Sequence, residues 1–219
     1  MEFIERGACC GLPELDMGYE KHSCTLEQGV APYVCDKGYD YVVVPSGICT
    51  DQFRYHFNEL EQTPEVRHFR ETVYDPVEFL HDVLKVKELP GKPRFPYRVA
   101  IHNGCHSLRY LKEARPSELM IKPFDKSAAL LSLVEGIETG YATRRDECCG
   151  FGGVFSIWDA PCSGQQGRDK VNDYARNGFK YVTSQDMSCL IHQQTIARKI
   201  GLELKMFYIT EILNGDAKP

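Results

Sequence analysis

Cys148-Cys149-Gly150-Phe151-Gly152 restates, 139 positions later, the motif Cys9-Cys10-Gly11-Leu12-Pro13. The echo extends outward from the thiol pair. Gly38-Tyr39-Asp40-Tyr41-Val42 matches Gly178-Phe179-Lys180-Tyr181-Val182 at an offset of 140, and Cys49 matches Cys189 at the same offset. Tyr74-Asp75-Pro76-Val77-Glu78-Phe79-Leu80 resembles Phe207-Tyr208-Ile209-Thr210-Glu211-Ile212-Leu213, with the shared glutamates 133 apart. Several features kept in step mark an internal duplication, with units expected at 1–92 and 93–219. The second unit has one more part. Tyr97–His102 reads as a β-branched, apolar strand that ends in Asn103-Gly104-Cys105-His106. The counterpart of Cys105 in the first unit would fall more than thirty residues before Met1. Either the first unit has lost its initial strand and cysteine, or the chain starts late relative to its natural gene.

The expected fold is α/β: two duplicated units of parallel strands with flanking helices, the first unit lacking its initial strand. Tyr39–Val44 reads as a buried strand, followed by the turn Pro45-Ser46-Gly47 and a helix over Thr50–Leu60 opened by Cys49. Tyr181–Thr183, a turn at Ser184–Met187, Cys189 and a helix to about Ile200 repeat the plan, with Gly201 suited to that helix's C-terminal cap. Glu27–Cys35 and Lys170–Arg176 read as the helices that precede these strands. Strand, cysteine and helix in that order, used three times, put the thiols at the carboxyl ends of parallel strands, where α/β sheets bind ligands. The Pro- and Gly-rich stretch 88–96 reads as the link between the halves.

Ten cysteines in 219 residues exceed ordinary usage yet fall short of a small disulfide scaffold. No basic segment leads into an apolar stretch, so no signal peptide is expected. No apolar run approaches the roughly 20 residues that span a bilayer. The expected location is cytoplasmic, where thiols stay reduced and ligation or catalysis is favoured over bridging. A net charge of −5, with both signs mixed along the chain, argues against nucleic acid. Adjacent thiols are poor disulfide partners, since neighbouring Cα atoms lie about 3.8 Å apart and an unstrained bridge wants about 4.4 Å or more. Side by side, they can instead bind different atoms of a metal cluster.

Four thiolates are what a [4Fe–4S] or [2Fe–2S] cluster typically needs. Cys105, Cys148, Cys149 and Cys189 supply four from three strand ends. Zinc also takes four thiolates in a tetrahedron, but adjacent cysteines strain a single tetrahedral centre, so a cluster is the expectation and zinc the alternative. Cys9, Cys10 and Cys49 offer three, enough for a labile cluster, for one completed by another group, or for none. Cys24 and Cys35 are the residues nearest to completing that set, although Cys35 reads better as a small buried apolar residue. Cys162, in an expected loop, reads as a bystander. Gly150, Gly152 and Gly153 clear side chains from beside the thiol pair, so that backbone N–H groups can approach sulfur, or else they make a simple turn. Around Cys105, His102 reads as a surface or capping residue, while Arg109 suits either the surface or a substrate carboxylate. Asp186 reads as a turn-making aspartate rather than an oxygen ligand. Tyr74, Glu78, Tyr208 and Glu211 read as helix packing and capping.

Cys9-Cys10-Gly11-Leu12-Pro13, Pro45-Ser46-Gly47-Ile48-Cys49-Thr50, His102-Asn103-Gly104-Cys105-His106-Ser107-Leu108-Arg109, Cys148-Cys149-Gly150-Phe151-Gly152-Gly153-Val154-Phe155-Ser156 and Asp186-Met187-Ser188-Cys189-Leu190 together resemble the cysteine-rich CCG-domain proteins. In particular they resemble the LutA/YkgE family of lactate-utilisation iron–sulfur proteins, over essentially the whole chain. More distantly, the repeat is similar to the cluster-binding component of heterodisulfide reductases and to the cysteine-rich part of glycolate and glycerol-3-phosphate oxidases. The resemblance implies an iron–sulfur electron-transfer component, part of an oxidoreductase that works with two partner proteins to oxidise L-lactate to pyruvate. Family members usually begin with a strand and a cysteine that would precede Glu2. Where the heterodisulfide reductases carry Cys-x-x-Cys, this chain has Ser46-Gly47-Ile48-Cys49 and Asp186-Met187-Ser188-Cys189, so an ordinary four-thiolate [4Fe–4S] cluster in the second repeat is the expectation. The competing functions are a thiol or heterodisulfide reductase, and a zinc-stabilised or metal-free interaction protein. No Gly-x-Gly-x-x-Gly follows a strand, so any hydride chemistry is expected on a partner.

Overall fold

The β-branched and aromatic segments of the repeat pair in parallel, as buried strands joined by helices must. In the computed structural model, which describes residues 2–4 and 9–219, β1 (Val42–Val43) pairs with β2 (Val73–Tyr74) in one small sheet. The second sheet has β3 (Arg98–Ile101), β4 (Glu138–Gly140), β5 (Tyr181–Ser184) and β6 (Lys205–Tyr208) in the order β4-β3-β5-β6, all parallel. The registers carry the duplication. Val42 faces Val73, and Val182 faces Met206, so the sequence offsets of 140 and 133 map one strand pair onto the other. In the second sheet β3 flanks β5; among the described residues no strand flanks β1 on the corresponding edge.

That open edge corrects one expectation. Tyr39–Val44 is not a buried strand: only Val42–Val43 is strand, and Tyr41 and Val43 are exposed, with Tyr41 stacking edge-on against Tyr74 and Phe79. The helices differ in extent as well. Gly29 divides the expected helix 27–35 into Glu20–Gln28 and Val30–Lys37. The expected helix 50–60 begins three residues earlier, as Gly47–Asp51, and then widens into a π-turn, Gln52–His56, and a 3₁₀ turn, Phe57–Glu59. The helix before β5 starts at Ala160, so Cys162 lies in a helical first turn and not in a loop. Met187–Lys199 runs as expected, and Gly201 (φ 73°) closes it by donating to the Arg198 carbonyl. Cys35 is half-buried, its thiol donating to the Glu65 carbonyl at 3.6 Å, rather than a core residue.

Successive residues of a strand point to opposite faces, and the second sheet uses both. Val99 and Ile101 join Phe95, Leu130, Phe207 and Ile212 in one core, while Ala100 and Val182 join Val171, Tyr174 and Phe179 in another. A third core, around Phe53, Phe57 and Phe69, belongs to the first repeat. Val77, from the short helix after β2, packs in the first of these cores and ties the halves together. Among the described residues no helix is long and apolar enough to cross a membrane.

The halves also meet where helix Gly47–Asp51 packs on helix Cys105–Arg109. Here Gly47 permits the close approach: a Cβ on it would overlap Ser107 Oγ. Gly47→Ala is therefore expected to destabilise the fold by about 1–3 kcal/mol, the usual cost of overpacking. Adding Ser107→Ala should restore most of the loss, read by urea unfolding. Equal stability of the single and double variants would contradict the seam contact.

Candidate metal centre

Parallel pairing brings the carboxyl ends of β3 and β5 side by side, and the cysteines follow. Cys105 opens the helix after β3, Cys189 lies in the first turn of the helix after β5, and Cys148-Cys149 ends the loop that follows β4. The sulfurs form a chain of contacts, Cys105 to Cys148, Cys148 to Cys149 and Cys149 to Cys189. Hydrogen bonds from the Cys105 and Cys149 thiols hold Cys148 as a thiolate and lower its pKa to about 2. Donating those hydrogen bonds, together with burial, pushes the Cys105 and Cys149 thiols up. All four expected ligands are thus together. They can hold a soft metal or cluster once deprotonated.

Of the three glycines, Gly150 lies beside the thiols, while a Cβ on Gly152 would meet Phe155 and one on Gly153 only Asp16. Gly150 N–H reaches Cys148 Sγ at 3.3 Å and Phe151 N–H reaches Cys149 Sγ at 3.4 Å. Gly150 has φ 89°, and a Cβ there would meet the Ser163 carbonyl at 2.6 Å, so the thiol loop lies directly on helix Ala160–Arg176. From that helix Lys170, buried, donates to the carbonyls of Arg144 (2.7 Å) and Arg145 (3.2 Å), pinning the segment that leads to Cys148. Burial lowers the Lys170 pKa, and nearby acidic charge, that of Cys149 included, works against this.

His102 is the main correction near Cys105. It is only 1% exposed, and neither ring nitrogen has a hydrogen-bond partner. It stands directly after β3, its N–H continuing the ladder to the Thr183 carbonyl at 2.8 Å, and so points inward. Burial, with the charge of Lys170, pushes its pKa down to about 3, leaving a neutral imidazole. One nitrogen lies with Cys149 Sγ and Cys189 Sγ in a group whose atoms are all within 4.8 Å of one another. The Tyr174 hydroxyl is also buried and unpartnered, and the charges of Cys149 and Cys189 act on it. Orphaned buried polar atoms beside converging thiols are what a bound metal group would satisfy; the donor set fits such a group. Arg109 instead pairs with Glu118 at 2.8 Å on the surface.

The first repeat presents less. Cys10 is buried and its thiol contacts Cys49, whose pKa is lowered to about 7 by that hydrogen bond; Cys9 is exposed. Cys24 packs at the edge of the first core. His106, from the second repeat, bonds Asp51 Oδ2 at 2.6 Å, and its charge acts on Cys49 while that of Cys148 acts on it. It therefore stands between the two sets of thiols.

The "Cysteine-rich domain" (CCG) family profile matches residues 1–54 and 99–193, the segments that carry these cysteines. Lactate utilization protein A of Halalkalibacterium halodurans is 31% identical over 98% of this chain and 84% of its own length. The proteins of that name from Bacillus thuringiensis and Bacillus cereus are 28% identical over 98% of this chain and 86% of theirs. The chain belongs to the lactate utilization protein A family of CCG cysteine-rich proteins.

Beside the family's cysteines lie groups that sequence reading passed over. Lys170 had a visible signal, since Ser163, Gly167, Lys170, Val171 and Tyr174 form one buried helical stripe. Asp75 and Glu113 had none, because their meeting is purely tertiary. Asp75 caps its helix through the Glu78 N–H at 2.8 Å, and Glu113, fully buried, accepts from Gln185 Nε2. Burial, then the charge of Asp75, raises the Glu113 pKa well above the carboxylate range, so the two carboxyls share a proton. Unfolded glutamate titrates near about 4.3. Above that pH the fold keeps a proton that the unfolded chain releases, so this site's contribution to stability falls as pH rises toward the folded pKa. Glu113→Gln should stabilise the protein more at pH 8 than at pH 5 in urea unfolding; a gain that is equal, or larger at pH 5, would contradict the shared proton.

Proposed function

We propose that the protein is an iron–sulfur electron-transfer component of a multi-protein system that oxidises L-lactate to pyruvate, with its cluster in the second repeat, residues 93–219. The observation that carries this reading is the convergence of Cys105, Cys148, Cys149 and Cys189 from three strand ends beside buried polar groups that lack partners. The names of the family relatives support the lactate pathway. A bound [4Fe–4S] cluster would take up and release single electrons. The protein's own groups set the conditions for that chemistry. Gly150 and Phe151 N–H groups donate toward the cysteine sulfurs, and Lys170 sets a buried positive charge against the thiolates. Both stabilise added negative charge. Hydride removal from lactate falls to partner proteins, for this chain offers no nicotinamide or flavin fingerprint. The first repeat, with Cys9, Cys10 and Cys49, is the weaker site because Cys9, though its charge acts on Cys10, is exposed, and the thiol contact is between Cys10 and Cys49.

A thiol–disulfide exchange activity has one specific observation in its favour, the Cys148 thiolate. Cys105 and Cys149 converge on that same sulfur, an arrangement that suits ligation better than exchange and ranks this reading second.

Anaerobic purification, with iron and acid-labile sulfide assays and EPR before and after dithionite, separates these readings. Iron and sulfide in equal amounts and a reducible signal are expected, lost in Cys148→Ser and kept in Cys10→Ser. A colourless protein with stoichiometric zinc would contradict electron transfer, and equal iron loss in both variants would contradict the assignment to the second repeat.

A further inference from the structure

We propose that His102 is itself a metal ligand of the second-repeat site, joining Cys149 and Cys189 in a mixed nitrogen–sulfur donor set. The inference rests on the reading that this site binds metal. Three observations lead to it. His102 is buried at the carboxyl end of β3, three residues before Cys105, so the strand itself aims the ring at the thiols. Both ring nitrogens lack partners, although a neutral imidazole always presents one donor and one lone pair. Buried groups left in that condition are rare and costly, and a metal bond to the lone pair removes the deficit on that nitrogen. Lastly, the nitrogen and the two sulfurs lie within 4.8 Å of one another. Metal–nitrogen and metal–sulfur bonds of about 2.0–2.3 Å need donors only slightly closer than this, a change small side-chain rotations supply.

Charge favours the same assignment. Four thiolates, two of them buried and two half-buried, would crowd negative charge that the buried Lys170 only partly offsets. A neutral nitrogen donor adds none. An imidazole donor at iron, neutral where a thiolate is charged, raises the reduction potential, as in Rieske-type centres, so His102 would raise the potential of this site.

The test uses the full chain, purified anaerobically after growth with ¹⁵N-histidine or unlabelled histidine and loaded with ⁵⁷Fe²⁺ and sulfide. Pulsed EPR of the dithionite-reduced protein is expected to show a strong histidine-nitrogen coupling that changes with the label and is lost in His102→Ala. Mössbauer spectra of the oxidised protein should show one iron environment distinct from the all-sulfur sites. His102→Cys should keep the iron and lower the potential, which covers the case in which the alanine variant fails to fold. Wild-type protein with only all-sulfur iron and no histidine coupling would overturn the assignment, as would a coupling unchanged in His102→Ala. Should the protein take up zinc and no cluster, the electron-transfer reading fails by itself; X-ray absorption at the zinc edge then decides His102, a nitrogen in the shell supporting it and an all-sulfur shell refuting it.

Discussion

A buried carboxylate holds the two repeats together. Asp186 occupies the N-cap position of helix Met187–Lys199 yet makes no cap there. Its Oδ1 instead accepts from Ser46 Oγ at 2.9 Å and from Ile48 N–H at 3.3 Å, at the start of the corresponding helix of the other repeat. Ser107, from the helix after β3, approaches Oδ2 at 3.5 Å. One carboxylate thus joins the starts of three helices, each of which carries a cysteine of the repeat: Cys49, Cys105 and Cys189. Burial raises its pKa, and the donors from Ser46 and Ile48 counter that shift by stabilising the charged form. Gly47 and Gly104 leave the space this junction needs.

From this junction the thiols inherit their geometry. Cys105 and Cys189 descend from neighbouring parallel strands, and the Cys148-Cys149 loop is laid against them by Gly150 and by the Lys170 anchor. The pocket so made sets the Cys148 thiolate and a neutral His102 near the buried Lys170, with further thiols that carry negative charge once deprotonated. A largely buried site of that kind rewards a positively charged metal group that offsets the thiolates. The two Cys-Cys-Gly motifs, alike in sequence, therefore differ in chemistry. In the first, the contact runs between Cys10 and Cys49 while Cys9 is exposed, and among the described residues no third strand joins β1 and β2.

Much of this was legible in the sequence because duplication supplies an internal alignment. The offsets of 140 and 133 reappear as strand register, and the strand–cysteine–helix order fixed which ends would meet. What the repeat could not convey was tertiary. His102 looked superficial, because a polar residue after a strand usually reaches solvent, yet here its ring is buried beside Cys149 and Cys189. β4 is only three residues long and carries no run of β-branched side chains to announce it. The Asp75–Glu113 pair joins residues with no sequence relationship, and Asp186 was read as a local turn because nothing in its neighbourhood betrays a partner 140 residues away.

The unequal standing of the two repeats is the central claim, and anomalous diffraction at the iron edge from crystals grown and frozen without oxygen tests it most directly. The account predicts iron among Cys105, Cys148, Cys149 and Cys189, with His102 against it. Iron at Cys10 and Cys49 alone, or no iron at either set of thiols in protein that retained its colour, would contradict it.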